Sequence, residues 1–134
     1  MNQESRKLKS FTQLTTWQEG HKLVLRIYEI TQRFPKEEMF GLTNQIRRAA
    51  VSFTSNIAEG FSRNSYKEKV QFYSTALGSL TETQNQLLIA KDIKYISQNE
   101  FIELAELTVL INKLTNGLIT VSYTHLTLPT ILRV

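Results

Sequence analysis

The chain has 134 residues, 41% of them hydrophobic and 21% charged, which is enough for one domain with a buried core. Its net charge of +4, from 16 basic and 12 acidic residues, is too small for a dedicated polyanion binder acting as a monomer. The absence of cysteine excludes a disulfide framework or thiolate metal site and fits a cytoplasmic location, while no apolar run of about 18 residues suggests a membrane span.

The opening MNQESRKLKSF is basic with no apolar run behind it, so a secretory leader is not expected. Residues 1–13 read as a flexible basic arm carrying Arg6, Lys7 and Lys9, with Phe11 and Leu14 placed to fold back. Thr16 and Glu19 form a capping box that predicts the start of a first helix. Trp17, Val24, Ile27, Tyr28 and Thr31 follow at helical spacing, flanked by Leu23 and Ile30. Phe34-Pro35 ends the helix, because a residue before proline avoids helical dihedrals.

Residues 36–41, KEEMFG, predict a short turn into a second helix from Leu42 to Gly60. At about 100° per residue this segment sorts into two faces. Leu42, Ile46, Ala49, Ala50, Phe53 and Ile57 make an apolar side. Arg48, Ser52, Ser55 and Glu59 make a polar one, mostly of short side chains that let another surface approach. Gly60, Ser62, Asn64 and Ser65 predict a turn.

Ser65 with Glu68 predicts a second capping box and a third helix reaching Lys91. Its expected seam is Tyr66, Val70, Tyr73, Leu77, Leu80 and Leu87, with Gln84 on the same line inside the polar run 81–86. After a short connection at 92–96, Ser97 with Glu100 makes a third capping box. The fourth helix carries Phe101, Leu104, Thr108, Ile111 and Leu118 on one face, beside Leu107, Leu110 and Leu114. Residues 14–120 therefore predict an all-α, antiparallel up-down four-helix bundle with short loops. The tail 121–134, VSYTHLTLPTILRV, loses the helical period and contains Pro129. It closely resembles translated sequencing-adapter read-through, which would mean that the natural end of the fourth helix has been replaced. The competing reading is an extended arm that adds a strand to a partner.

The sequence offers two groups of candidate functional residues. Arg47, Arg48, Ser52, Ser55, Asn56 and Glu59 are candidates for an oligomer interface. Arg48 and Glu59 lie about 16 Å apart along one helix, too far to pair within it. The arginines are alternatively phosphate contacts or simply solvated, and Asn56, Glu59 and Gly60 suit close packing with a hydrogen-bond network. Arg6, Lys7 and Lys9 of the arm, with Arg63, Lys67 and Lys69, are candidates for nucleic-acid contact. Trp17, Tyr28, Tyr66 and Tyr73 could be base-stacking platforms, but their spacing assigns them to the core. No Glu-x-x-His pair, HExxH, phosphate-cradling glycine loop or nucleophile elbow is present. His21 reads as a rim residue, and His125 lies in the anomalous tail. No enzyme activity, cofactor, metal or small-molecule substrate is expected.

Five separated blocks carry a family resemblance: Phe11/Leu14/Trp17, FPKEEMFGLTNQIRRAAVS, NIAEGFSR, the ALGSL at Ala76–Leu80 and the LLIAKD at Leu87–Asp92. Together they resemble the bacterial four-helix-bundle proteins first noticed inside intervening sequences of large-subunit ribosomal RNA genes. Thr54 stands where that family usually has a proline, which removes the cause of the usual kink. The resemblance implies a ring-like homopentamer around a central channel. It also implies kinship with the accessory variability determinant protein of diversity-generating retroelements, which binds nucleic acid and works with a reverse transcriptase. The combined expectation is a non-enzymatic, cytoplasmic accessory protein whose partners are further copies of itself and either RNA or DNA or a reverse-transcriptase-like protein. The alternative is a protein–protein assembly scaffold with no nucleic-acid role.

Overall fold

The computed structural model describes residues 8–132, with side chains through Thr124. Among the described residues the regular structure is helical throughout, with no strand. The helices are α1 (Thr15–Thr31), α2 (Leu42–Ser62), α3 (Tyr66–Asp92) and α4 (Gln98–Leu132), with short 3-10 turns at Phe11–Gln13 and Lys36–Glu38. α1 packs on α2, α2 on α3, α3 on α4, and α4 returns to α1. The enclosed core includes Leu23, Ile27 and Ile30 of α1, Ile46, Phe53 and Ile57 of α2, Tyr73, Leu80 and Leu87 of α3, and Leu104 and Ile111 of α4. Burying each such side chain contributes roughly 1.5–3 kcal/mol.

All six apolar positions expected on α2 are buried. α3 differs from expectation. Its buried positions are Tyr73, Ala76, Ser79, Leu80, Thr83, Gln86, Leu87 and Ala90, while Leu77, Gln84 and Val70 are half-buried and Tyr66 is exposed. The reason is close approach to α2. A Cβ on Gly60 would stand 2.5 Å from the Tyr73 ring, so only glycine lets that ring in. Ser52 and Ser79 share a hydrogen bond of 2.8 Å across the same contact. A helix drawn this near needs small residues on its inner line, and hydropathy alone ranks leucine above them. Gly20 does the same for α1, where a Cβ would stand 2.5 Å from the Phe53 ring.

The helix starts follow local chemistry. Ser97 caps α4 in both directions: its hydroxyl accepts from the Glu100 N–H, and its own N–H donates to the Glu100 carboxylate. Ser65 accepts from the Glu68 N–H at the head of α3. The box expected at Thr16 and Glu19 does not form. α1 begins one residue earlier, Thr16 is buried inside its first turn, and Glu19 pairs with Lys22 instead. The reciprocal box belongs to Ser10 and Gln13, which close the 3-10 turn before α1. Phe11 does fold back, meeting Trp17 edge-on at 5.3 Å. At the head of α2, the Glu38 carboxylate accepts from the Leu42 N–H and from the Tyr95 hydroxyl, joining two turns. α3 closes with Lys94 in the left-handed region (φ 67°), while Tyr95 N–H donates to the Ala90 carbonyl.

The backbone stays helical to Leu132 and Ser122 is buried, although the sequence loses its helical period after 120. β-Branched residues reduce helix propensity by only about 0.7 kcal/mol or less each, which does not by itself end a helix. A helical backbone is compatible with the read-through origin of these residues. The remaining tail residues, 133 and 134, lie outside the described residues.

Candidate nucleic-acid and self-association surfaces

The polar stripe of α2 is divided between inward and outward contacts. Ser52 bonds Ser79, and the Asn56 amide donates to the Ser52 carbonyl at 2.8 Å and to its hydroxyl. Asn56 thus belongs to a hydrogen-bond network inside the chain. The Arg47 Nε donates to the Thr31 hydroxyl at 2.8 Å, and its guanidinium lies 4.5 Å over the Tyr28 ring, binding α2 to α1. Arg48, Ser55 and Glu59 face outward, Glu59 held by Arg63 one turn on.

The expected basic patch is reduced in the same way. The Lys69 ammonium donates to the Gly60 and Phe61 carbonyls, capping the end of α2. Burial pushes its pKa below the usual lysine value. Arg63 pairs with Glu59 and lies over the Phe72 ring. Lys9 and Lys67 are exposed. Arg6 and Lys7 lie outside the described residues.

Other arginines are matched to acids. Arg26 of α1 bonds Glu103 and Glu29, and Arg33 bonds Glu100, so α1 and α4 are joined by charge. The Glu103 carboxyl is held below its usual pKa by Arg26. The Glu100 carboxyl is held low first by the Ser97 N–H and then by Arg33.

The surface carries four recesses of note. One, of about 240 Å³, opens between α3 and α4 beside Leu87, Leu88, Phe101, Ala105 and Val109. Of its lining, Leu88 and Val109 are 44% and 53% exposed, two uncovered aliphatic side chains. The other three lie around α2. A recess of about 280 Å³ is bordered by Phe34, Lys36, Met39, Thr43 and Arg47. The next, about 420 Å³, is bordered by Tyr28, Asn44, Arg47, Arg48 and Ser52. The last, about 280 Å³, is bordered by Gln45, Arg48, Ser52 and Glu82. Lys36, Asn44 and Glu82 are absent from the sequence-derived candidates. Nothing in the linear order signals them, because the α1–α2 turn, α2 and α3 meet only in the fold.

Among the described residues no group of three or more His, Cys, Asp or Glu side chains is arranged to hold a metal, and no helix is long and apolar enough to cross a membrane. His21 stacks on Trp17 at 4.6 Å, a packing contact at the rim.

With four packed helices in place, residues 12–117 match the family described as 23S rRNA-intervening sequence protein. The chain belongs to that family. Its fold is similar to the crystal structure of a protein of unknown function from the S23 ribosomal protein family of Bacteroides thetaiotaomicron. That similarity has a TM-score of 0.73 at 22% identity and covers 78% of this chain and 98% of that one. No curated protein matches the chain.

Proposed function

We propose that this member of the 23S rRNA-intervening sequence protein family is a non-enzymatic, self-associating accessory protein that works with nucleic acid or a nucleic-acid-processing enzyme. Its helices run up-down-up-down, and its bundles close into a homopentameric ring. The contacts along the chain support the topology: Gly20 faces Phe53 and Thr31 faces Arg47, Gly60 faces Tyr73 and Ser52 faces Ser79, and Gln84 faces Thr108 while Lys91 faces Phe101. In each pair of helices one index rises as the other falls.

The observation that carries self-association is the pair of uncovered aliphatic side chains, Leu88 and Val109, at the α3–α4 recess. Contiguous exposed apolar surface on a soluble domain marks an interaction face. Ser55 and Glu59 extend that association on the α2 side. In the proposed topology Lys9, Arg63 and Lys67 share one end of the bundle, and Lys69 supports that end from beneath. A ring of copies would repeat the patch and concentrate a charge that is modest in one chain.

Light scattering on the full chain tests the assembly. The expected mass is about five times the 15.5 kDa chain, and Leu88→Glu with Val109→Glu should reduce it to one chain. A wild-type monomer at tens of micromolar would overturn the assembly. Single-stranded RNA binding that weakens steeply with salt is expected for the nucleic-acid half, through counterion release. One observation favours the alternative of a pure protein scaffold: the Lys69 ammonium and the Arg63 guanidinium are engaged inside the chain. Failure to bind RNA at about 50 mM salt would decide for that scaffold.

A further inference from the structure

The three recesses around α2 form a series. Arg47 borders the first and the second, and Arg48 with Ser52 borders the second and the third. Lys36 also borders the first. A path therefore runs from the α1–α2 turn across α2 towards α3, punctuated by three cations.

These cations differ from the other arginines of the described residues. Arg26, Arg33 and Arg63 each hold a carboxylate. Among the described residues Lys36, Arg47 and Arg48 form no ion pair, and the only acid bordering the path is Glu82 at its far end. Arg47 is also fixed in place. Its Nε is tied to Thr31 and its plane rests on Tyr28, so its terminal nitrogens are presented as a pre-oriented fork suited to phosphate oxygens. Between the cations the walls offer the half-exposed Tyr28 ring and the Asn44 amide, groups that stack on bases or bond their edges.

We propose that this path is a binding track for single-stranded nucleic acid, with successive phosphates on Lys36, Arg47 and Arg48 and the intervening bases lodged by Tyr28 and Asn44. A lone phosphate would use one recess and leave two cations idle. A duplex would hold its bases away from the recesses and could not use Tyr28. The inference rests on the proposal that the chain works with nucleic acid, and it adds where the strand lies, on a surface distinct from the Lys9/Arg63/Lys67 end.

The test is fluorescence anisotropy of a labelled oligouridylate of roughly ten nucleotides against the full chain, across a salt series. Lys36→Gln with Arg48→Gln removes two exposed cations without touching the core, and thermal melting checks that the fold is kept. Lys94→Gln with Lys113→Gln removes equal charge elsewhere. The track variant should bind on the order of tenfold more weakly and flatten the slope of log K against log salt by about 1.4, at about 0.7 per phosphate. The control pair should change affinity less than about twofold. Wild type that binds while the track variant binds equally well would overturn this inference alone. Wild type that binds no RNA at about 50 mM salt would overturn the nucleic-acid proposal and the track together. Uridine monophosphate binding as tightly as the oligomer would replace the track with a single phosphate site.

Discussion

The α2–α3 contact and the α1–α4 contact hold the same molecule together by different means. α2 and α3 meet through Gly60 under the Tyr73 ring and a Ser52–Ser79 hydrogen bond. α1 and α4 are bridged by Arg26 and Arg33 reaching Glu100 and Glu103 in partly exposed positions. The first contact is specified by shape, where a displaced atom meets another atom. The second is specified by charge, where water and salt compete. Shape therefore carries the stability, and charge chooses which helices stand side by side.

Four substitutions on α2 and α3 probe packing specified by shape. Leu80→Ala, at a fully buried α3 position, should cost about 2–5 kcal/mol in denaturant unfolding, while half-buried Leu77→Ala should cost clearly less. Gly60→Ala should cost about 1–3 kcal/mol by overpacking against Tyr73. Gly78→Ala, where an added Cβ meets nothing within 4 Å, should stabilise by about 0.5–1 kcal/mol. A Gly60→Ala protein as stable as wild type would mean that the close approach is relaxed in solution.

The two contacts should also fail at opposite ends of the pH scale. Glu100 and Glu103 have lowered folded pKa values, so their contribution is complete above the ordinary value of 4.5 and is lost as pH falls through the folded values. Burial pushes the Tyr73 hydroxyl up to about 12 from 10.0, so its contribution is complete below pH 10.0 and is lost as pH rises towards 12. Melting temperature should decline at both extremes. Glu103→Gln should blunt only the acid side, and Tyr73→Phe only the alkaline side. The smallest effect is expected from Arg26→Gln at neutral pH, about 0.2–1 kcal/mol and diminishing with salt.

The same contrast explains what could be read in the sequence. All six apolar positions of α2 were legible because large and small apolar residues recur there at strict helical spacing. On α3 Tyr73, Leu80 and Leu87 were legible, but Ala76, Ser79, Thr83 and Ala90 were not. Their burial follows from proximity to α2, and pattern cannot express a distance. Capping was legible at Ser97 and in part at Ser65, where only the serine half forms. Thr16 and Glu19 carried the right residues at the right spacing. Ser10 and Gln13 closed their own turn upstream and moved the helix start. Among the candidate site residues, Lys69 and Arg47 were identified as cations, but the carbonyls and ring that engage them come from other segments.

The α1–α4 bridge also orders events in time. Consecutive helices touch, so most of the bundle can assemble by closing short stretches of chain. The Arg26–Glu103 bonds join residues 77 apart in sequence, which makes α1–α4 docking the step with the greatest loop-closure cost. That last step draws on long-range attraction, and ions in solution screen such attraction more than they screen close packing. Refolding should therefore have a salt-sensitive closing phase, and unfolding, which reverses that step first, should begin with the parting of α1 from α4 while Tyr73 still rests beside Gly60.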